Sequence, residues 1–163
     1  MLKPVRLLMN SPARRSLCGL STILATALLT GCTPEPPRGG DAALPGWYQK
    51  SVNQLVEMNR SADRFFQDGK GDQAATLIEQ AQPLVSRLLN VPKPSLAAVE
   101  AASDLDDLYG RMLLSNRHYA WAITMFEKNR ARWKNWSPQT PETARRLKLA
   151  EKAIEECDRR MAE

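Results

Sequence analysis

Few residues of this chain could carry out chemistry, and their spacing does not assemble them into a reactive site. His118 is the single histidine, and it stands in a turn-like stretch, SNRHYA, where a surface side chain or a helix cap is the usual role. Asp104, Asp106 and Asp107 cluster in DLDD, and carboxylate oxygens suit hard cations. Because neighbouring helix positions point in different directions, we expect a solvated acidic face there and no metal site. With no pattern for nucleophilic catalysis and no phosphate-binding glycine loop, we expect neither an enzyme nor a cofactor.

The N-terminal region has the pattern of a secretory signal peptide. Residues 1–15 carry four basic side chains and no acidic one, and residues 16–30 carry no charge. This uncharged stretch is too short for a transmembrane helix, which needs about 20 apolar residues. A basic head, a short apolar body and small residues at its end are typical of an export signal. We therefore interpret residues 1–31 as a signal peptide that is removed.

The junction at the end of this stretch reads Leu29, Thr30, Gly31 and Cys32. It resembles the lipobox of bacterial lipoproteins, in which Leu, a small or polar residue, and Gly or Ala precede a cysteine. The resemblance implies that the Cys32 thiol receives a diacylglyceryl group, that cleavage falls between Gly31 and Cys32, and that a fatty acid such as palmitate acylates the new amine. Two or more acyl chains hold a protein firmly on a membrane, whereas one gives only marginal binding. The implied location is the cell envelope.

Two further features concern the route and the destination of export. Thr33, and not Asp, follows Cys32. By the sorting pattern of enterobacterial lipoproteins, this residue favours the outer membrane over the inner membrane. Arg14 and Arg15 form a pair as in twin-arginine signals, but the surrounding residues lack the rest of that pattern. We favour ordinary Sec export, with twin-arginine export as the alternative.

The mature chain differs from the whole chain in charge and in cysteine content. Removal of residues 1–31 takes away four basic and no acidic residues, so the net charge falls from +5 to about +1. A nucleic-acid-binding protein needs a concentrated basic surface, and we therefore expect no nucleic-acid partner. Cys18 leaves with the signal and Cys32 is lipidated, which leaves Cys157 as the only free thiol. We expect it to be buried on a helix, with an intermolecular disulfide as the alternative.

A proline- and glycine-rich segment follows the lipidated cysteine. Residues 33–46, TPEPPRGGDAALPG, contain four prolines and three glycines. Such a composition buries too little apolar surface to fold, so we assign residues 32–46 to a tether that carries Cys32 at its start. Residues 47–163 then form one domain.

This domain is predicted to be all-α. Apolar residues recur at three- and four-residue steps in five segments. Gly69 suits the end of the first helix, Asp72 and Ser95 suit the N-caps of the second and third, and Thr140 suits that of the fifth. Pro83 is expected to kink the second helix or to split it in two. The predicted helices cover residues 47–67, 72–90, 96–115, 117–135 and 141–161.

Two predicted helix pairs are related in sequence. When Ala74 is aligned with Ala122, Ile78 falls on Phe126. In the second pair, Gly110 lies on the first helix and Tyr119 lies at the start of the second helix. This pattern of small and aromatic residues resembles a tetratricopeptide repeat, in which two antiparallel helices approach closely. The separation of the two alanines exceeds the repeat length of that family, and the first unit lacks the aromatic residue. The fold expected is therefore a set of antiparallel helix hairpins, either a tetratricopeptide-like α-solenoid or a small helical bundle.

One stretch mixes basic residues with tryptophan. EKNRARWKNW, residues 127–136, could face a partner or lipid headgroups, but alternate cations project to different sides of a helix. We expect Trp133 to pack over the start of the fifth helix and Trp121 to pack between helices.

Stacked helix hairpins present grooves that usually bind peptides or other proteins. We therefore expect a membrane-anchored scaffold or adaptor that assists the assembly of an envelope complex, with an envelope protein as its partner. The residues expected to line its binding surface are Tyr109, Arg117, Tyr119, Trp121 and Arg130. The alternative is a helical carrier of a small apolar ligand or lipid, which would need a sizeable internal cavity.

Overall fold

The computed structural model describes residues 44–163, and their secondary structure is entirely helical. The all-α prediction is confirmed. The signal peptide, the lipidation site at Cys32 and the tether up to residue 43 lie outside the described residues. The helices are α1 (Tyr48–Gln67), α2 (Gly71–Leu89), α3 (Leu96–Ser115), α4 (Tyr119–Asn135) and α5 (Pro141–Met161).

Polar caps fix two of the helix starts as expected. The Ser95 Oγ accepts a hydrogen bond from the Ala98 backbone N–H at 3.2 Å. At the start of α5, the Thr140 Oγ1 accepts from the Thr143 N–H at 3.2 Å, and the Thr143 Oγ1 accepts from the Thr140 N–H at 2.8 Å. Each pair satisfies backbone donors that a helix start leaves without intrahelical partners.

Two expectations for α2 were wrong, the N-cap at Asp72 and a split at Pro83, whereas a kink at Pro83 stays a prediction. The helix begins at Gly71, with Lys70 as an N-cap that makes no side-chain hydrogen bond, and Asp72 lies in the first turn. An acidic side chain in this place still stabilises the positive end of the helix dipole. The helix also runs without a break through Pro83, whose exposed ring is accommodated within it.

The turns between α1 and α2 and between α3 and α4 have the same geometry. The Lys70 N–H donates to the Phe65 carbonyl at 2.8 Å, and the His118 N–H donates to the Leu113 carbonyl at 2.8 Å. The preceding residue is left-handed in both turns, with φ of 74° at Gly69 and 63° at Arg117. Such a six-residue hydrogen bond around a left-handed residue closes a helix end and allows a short hairpin. The two turns are separated along the chain by the same distance as the two related sequence units.

The core of the domain consists of two clusters of buried side chains between neighbouring helices. One cluster of buried apolar side chains joins α1, α2 and α3, and a second, around Phe126 and Ile154, joins α4 and α5 with partly buried residues of α3. The close approach expected at Gly110 is confirmed, because a Cβ built there would lie 2.6 Å from Cε1 of Phe126. The ring of α4 therefore occupies the place of the missing side chain on α3.

Antiparallel packing brings three chain segments to one end of the domain. The Tyr48 hydroxyl donates to the Leu88 carbonyl at 3.2 Å and accepts from the Ser95 N–H at 3.1 Å, so the start of α1, the end of α2 and the start of α3 are adjacent. At the start of α5, Arg146 lies 3.9 Å from Glu100 of α3. We call this the entry end, because the chain enters the domain there; it comprises residues 44–51, 86–97 and 133–142. The opposite, turn end comprises residues 65–73, 113–121 and 157–163.

Candidate functional site

A groove runs along α3 beside α2, and α4 borders the part of it that lies away from the turn end. It consists of two neighbouring hollows of about 460 Å³ and 240 Å³, both lined by Ala75 and Tyr109. The larger hollow lies towards the turn end, beside Lys70 and Asn116, and the smaller one lies between Ile78 and Met125. We call the two together the α2–α4 groove.

The floor of the α2–α4 groove is apolar and its edges are charged. Tyr109, Met112 and Leu113 of α3 form the floor, all partly or wholly buried. The edges carry side chains of both signs: Lys70, Asp72, Glu79 and Lys128. Apolar floors with a few polar groups at the margin are usual in binding clefts, and a methionine such as Met125 adapts its shape to different partners.

Trp121 extends this surface along α4. Its side chain is 67% exposed, the highest value for a large apolar residue in the described part of the chain. Met125 and Lys128 follow it by one and two helical turns, so all three lie on one face of the helix. The expectation that Trp121 packs between helices was wrong. Its exposed indole instead lies on the side of α4 that borders the groove.

The other candidate surface residues do not join this site. Arg117 is exposed in the α3–α4 turn, and Tyr119 is half-buried near Arg160 of α5. The position of Arg130 along α4 turns it by about 180° from Trp121 around the helix axis. It is exposed there and pairs with Glu127 at 2.6 Å. Of the five candidate residues, Tyr109 lines the groove, and Trp121 lies on the same face of α4 as the groove-lining Met125.

A buried carboxylate supports the α4 edge of the groove. Asp106 is only 1% exposed, and its two oxygens accept from the Lys128 Nζ and from the Arg132 Nη2, each at 2.8 Å. The prediction of a solvated acidic face was wrong for this residue, although Asp104 stays exposed and Asp107 half-exposed. Lys128 and Arg132 stand one helical turn apart and share one face of α4, which places both cations over the same partner. The ion pair thereby fixes the ammonium group of Lys128 at the groove margin.

The tryptophan next to these cations is part of the core. Trp133 is 1% exposed, and its indole N–H donates to the Ser103 Oγ at 2.8 Å. The guanidinium of Arg146, near the start of α5, lies 5.3 Å from the ring centre. The prediction that Trp133 packs over the start of the fifth helix is confirmed. Of the basic residues in this stretch, Lys128, Arg130 and Lys134 are exposed and Arg132 is half-buried.

A second concave surface, formed by α1, α3 and α5, is polar. Its charges neutralise one another: Arg111 pairs with Asp63 at 3.0 Å and with Asp107 at 2.9 Å, and Arg146 pairs with Asp104 at 2.7 Å. A surface whose charges are already paired must lose these contacts to bind a charged partner. The α2–α4 groove is therefore the better candidate for a binding site.

Cys157 lies in the second core cluster and is fully buried. Burial raises the pKa of its thiol, and the negative charges of Asp158 and Glu156 act in the same direction. The expected burial of this thiol is confirmed. Within residues 44–163, no cluster of three or more His, Cys, Asp or Glu side chains could hold a metal ion. In the same range, no helix combines the length and the apolar character needed to cross a membrane.

Comparison with known proteins found no matching family model, and no curated protein or solved structure shows significant similarity to this chain.

Proposed function

We propose that this protein is a lipid-anchored lipoprotein of the cell envelope whose helical domain binds another protein. The anchor rests on the lipobox-like residues Leu29 to Cys32, and the tether holds the domain near the membrane. The binding surface is the α2–α4 groove together with Trp121. Thr33 makes the outer membrane the preferred destination in a Gram-negative cell. In this role the protein acts as a scaffold or adaptor, assisting assembly of an envelope complex.

The exposed indole of Trp121 beside an apolar groove is the observation that carries the binding proposal. Large exposed apolar surfaces on a folded domain mark places where another molecule is bound. Tryptophan and tyrosine are also enriched among the residues that contribute most to protein–protein binding. An amphipathic helix or an extended peptide with apolar anchors fits such a groove.

A tetratricopeptide-like origin is part of the same proposal. The matching turns at Gly69 and Arg117, which have the same spacing as the related sequence units, support a duplicated hairpin. In this view α5 covers the open side of the second hairpin, as a terminal helix does in repeat proteins. A small helical bundle with two similar hairpins is the simpler description of the same architecture.

The alternative function, transport of a small apolar ligand, calls for an enclosed cavity. The described domain offers surface grooves, and the ring of Phe126 fills the space beside Gly110 between α3 and α4. This packing favours the adaptor over the carrier.

The adaptor is tested by cross-linking in intact cells, followed by affinity capture of the tagged protein and mass spectrometry. We expect one envelope protein to be captured repeatedly and to be lost when Tyr109 and Trp121 are both replaced by alanine. The matched control replaces the exposed Arg130 by alanine, which leaves the groove intact. Capture of the same proteins by all three chains, or of abundant porins and lipid alone, would contradict the proposal.

A further inference from the structure

The two ends of the domain differ in charge. The entry end carries four basic residues and one acidic residue, Glu142, whereas the turn end carries four of each sign. Glu142 is already engaged, since its carboxylate lies 2.8 Å from Arg145 and 3.0 Å from Arg146. The hydrogen bond from Arg145 lowers the pKa of Glu142 to about 2, so this carboxylate stays ionised and paired. Among residues 44–163, the entry end has no other acidic side chain to offset its four cations: Lys50, Arg87, Lys93 and Lys134.

Apolar and aromatic side chains accompany these cations. Leu44 and Leu96 are 42% and 38% exposed, which makes them two of the few large aliphatic side chains that the described residues leave open to water. Trp47 and Trp136 are half-buried at the same end. Tryptophan favours the interface between lipid and water, and lysine and arginine are attracted to anionic headgroups. The entry end thus combines both kinds of residue that a peripheral membrane surface needs.

One pair of these residues is held in place by direct contact. The guanidinium carbon of Arg87 lies 3.8 Å from the ring centre of Trp47. Stacking of a cation on an indole joins the end of α2 to the start of α1 and keeps both side chains at the edge of the domain. The charge of Arg87 is retained in this contact and is available to an anionic surface.

The segment that carries the implied lipidation site joins the domain at this end. The segment from Cys32 to Leu44 spans at most about 40 Å when fully extended. The chain enters the domain beside Trp47, so the entry end is the part of the domain closest along the chain to the lipidation site. The turn end, with the larger hollow of the groove, lies at the opposite end of the domain.

We propose that the entry end docks on an anionic lipid surface through Lys93, Lys134, Trp136 and the side chains around them. The orientation relies on the lipid anchor of the proposed function, but the docking surface itself does not. Docking directs the turn end and the mouth of the α2–α4 groove away from the membrane. An envelope partner then binds at the turn end of the domain, on the side that faces away from the membrane.

The test uses the full-length processed protein in vesicles, with one fluorescent label at either end. Asn90 and Asn116 are matched positions, because both are exposed and each caps the C-terminus of a helix, Asn90 at the entry end and Asn116 at the turn end. A label is attached to Asn90→Cys or to Asn116→Cys, and the unsubstituted protein serves as the blank. Quenching by spin-labelled phosphatidylcholine is measured in vesicles with and without phosphatidylglycerol.

We expect quenching of the label at position 90 to exceed that at position 116 severalfold, and only in vesicles with phosphatidylglycerol. Replacing Lys93 and Lys134 by glutamine should weaken docking about 30-fold, since each cation near an anionic surface contributes roughly a fivefold factor. Equal quenching at both positions, or equal quenching in neutral and anionic vesicles, would overturn the proposal.

Flotation of the same vesicles separates docking from anchoring. If the protein floats in about 1 M salt, where charge attraction is screened, the lipid anchor holds it. If it floats only at low salt and position 90 is quenched, docking stands and the anchor is refuted. If it floats at high salt and neither label is quenched at low salt, the anchor stands and docking is refuted. Failure to float at any salt concentration refutes both.

Discussion

Phe126 of α4 fills the space above Gly110 of α3, where a Cβ would lie 2.6 Å from Cε1 and 2.7 Å from Cζ of the ring. Both residues are buried, so neither the ring nor the helix can move aside into water. The pair sets how closely the two helices of the second hairpin approach. The same hairpin carries Tyr109 and Trp121 of the proposed binding surface.

Replacing Gly110 by alanine should therefore destabilise the domain. Because the added methyl group overpacks a buried contact, we expect a loss of about 1–3 kcal/mol in the free energy of unfolding. Urea unfolding of the chain from residue 33 onward, followed by circular dichroism, measures this loss. Gly71→Ala is the control: no atom lies within 4 Å of a Cβ placed at this position, so this change in α2 should be neutral or stabilising. If Gly110→Ala lowers the free energy of unfolding as much in a Phe126→Leu background as in the wild-type chain, the Phe126 ring is not the cause of the destabilisation.

The two left-handed turn residues should respond to substitution with opposite signs. Gly69 has φ of 74° and Arg117 has φ of 63°, a conformation that costs a residue with a Cβ about 1–2 kcal/mol. Gly69→Ala should lower the free energy of unfolding by about 1 kcal/mol, and Arg117→Gly should raise it by up to about 1 kcal/mol. The same urea unfolding measures both changes. If Arg117→Gly is destabilising, its side chain makes a contact that outweighs the strain.

Asp106 should be the most sensitive of the three neighbouring aspartates. Asp106→Asn leaves Arg132, whose side chain is only 14% exposed, without its partner, and removes the charge that holds Lys128. Removing one partner of a buried ion pair lowers the free energy of unfolding by about 3–5 kcal/mol. Because Lys128 is partly exposed, we expect a loss at the lower end of this range. Asp104→Asn is the matched control, because its carboxylate is 54% exposed and its pair with Arg146 contributes at most about 1 kcal/mol. Equal losses in the two variants would contradict the buried role of Asp106.

Cys157 should react slowly with thiol reagents while the domain is folded. Its side chain is fully buried, and burial raises the pKa of the thiol above its usual value. Since the unfolded state ionises first as the pH rises, it binds fewer protons than the folded state in that window, and stability falls with increasing alkaline pH. We expect the reaction with a chromogenic disulfide reagent at about pH 8, near the usual thiol pKa, to become fast only after unfolding in urea. A rapid reaction of the native chain would show that Cys157 is accessible.

The helices could be predicted from sequence because their ends carry strong local signals. Ser95 and Thr140 form caps by hydrogen bonds within the first helical turn, and Gly69 adopts a conformation that glycine favours. The start of α2 was misplaced because Asp72 is a good cap by type, whereas the geometry of the preceding turn begins the helix at Gly71. The hydrogen bonds that close the turn between α1 and α2 therefore determine where α2 begins, and the capping preference of Asp72 does not.

The site was only partly predictable, because it depends on how α4 is rotated against α3. Burial of Asp106 follows from the position of Lys128 and Arg132 across the helix interface, and their spacing of one helical turn was the available signal. Trp121 was expected to pack between helices and was also a candidate for the binding surface, and its exposure rules out the first of these roles. The groove itself joins α2, α3 and α4, so no single stretch of sequence reveals it.

Site-specific photo-cross-linking in living cells tests the central claim most directly, that the α2–α4 groove binds a protein partner. A photoreactive amino acid is placed at Met125, which lines the groove, or at Arg130, which is exposed and lies halfway around α4 from Trp121. We predict a discrete cross-linked adduct with an envelope protein from position 125 and none from position 130. The adduct should disappear in Trp121→Ala. No adduct from position 125, or the same adduct from both positions, would contradict the claim that the groove is the binding site.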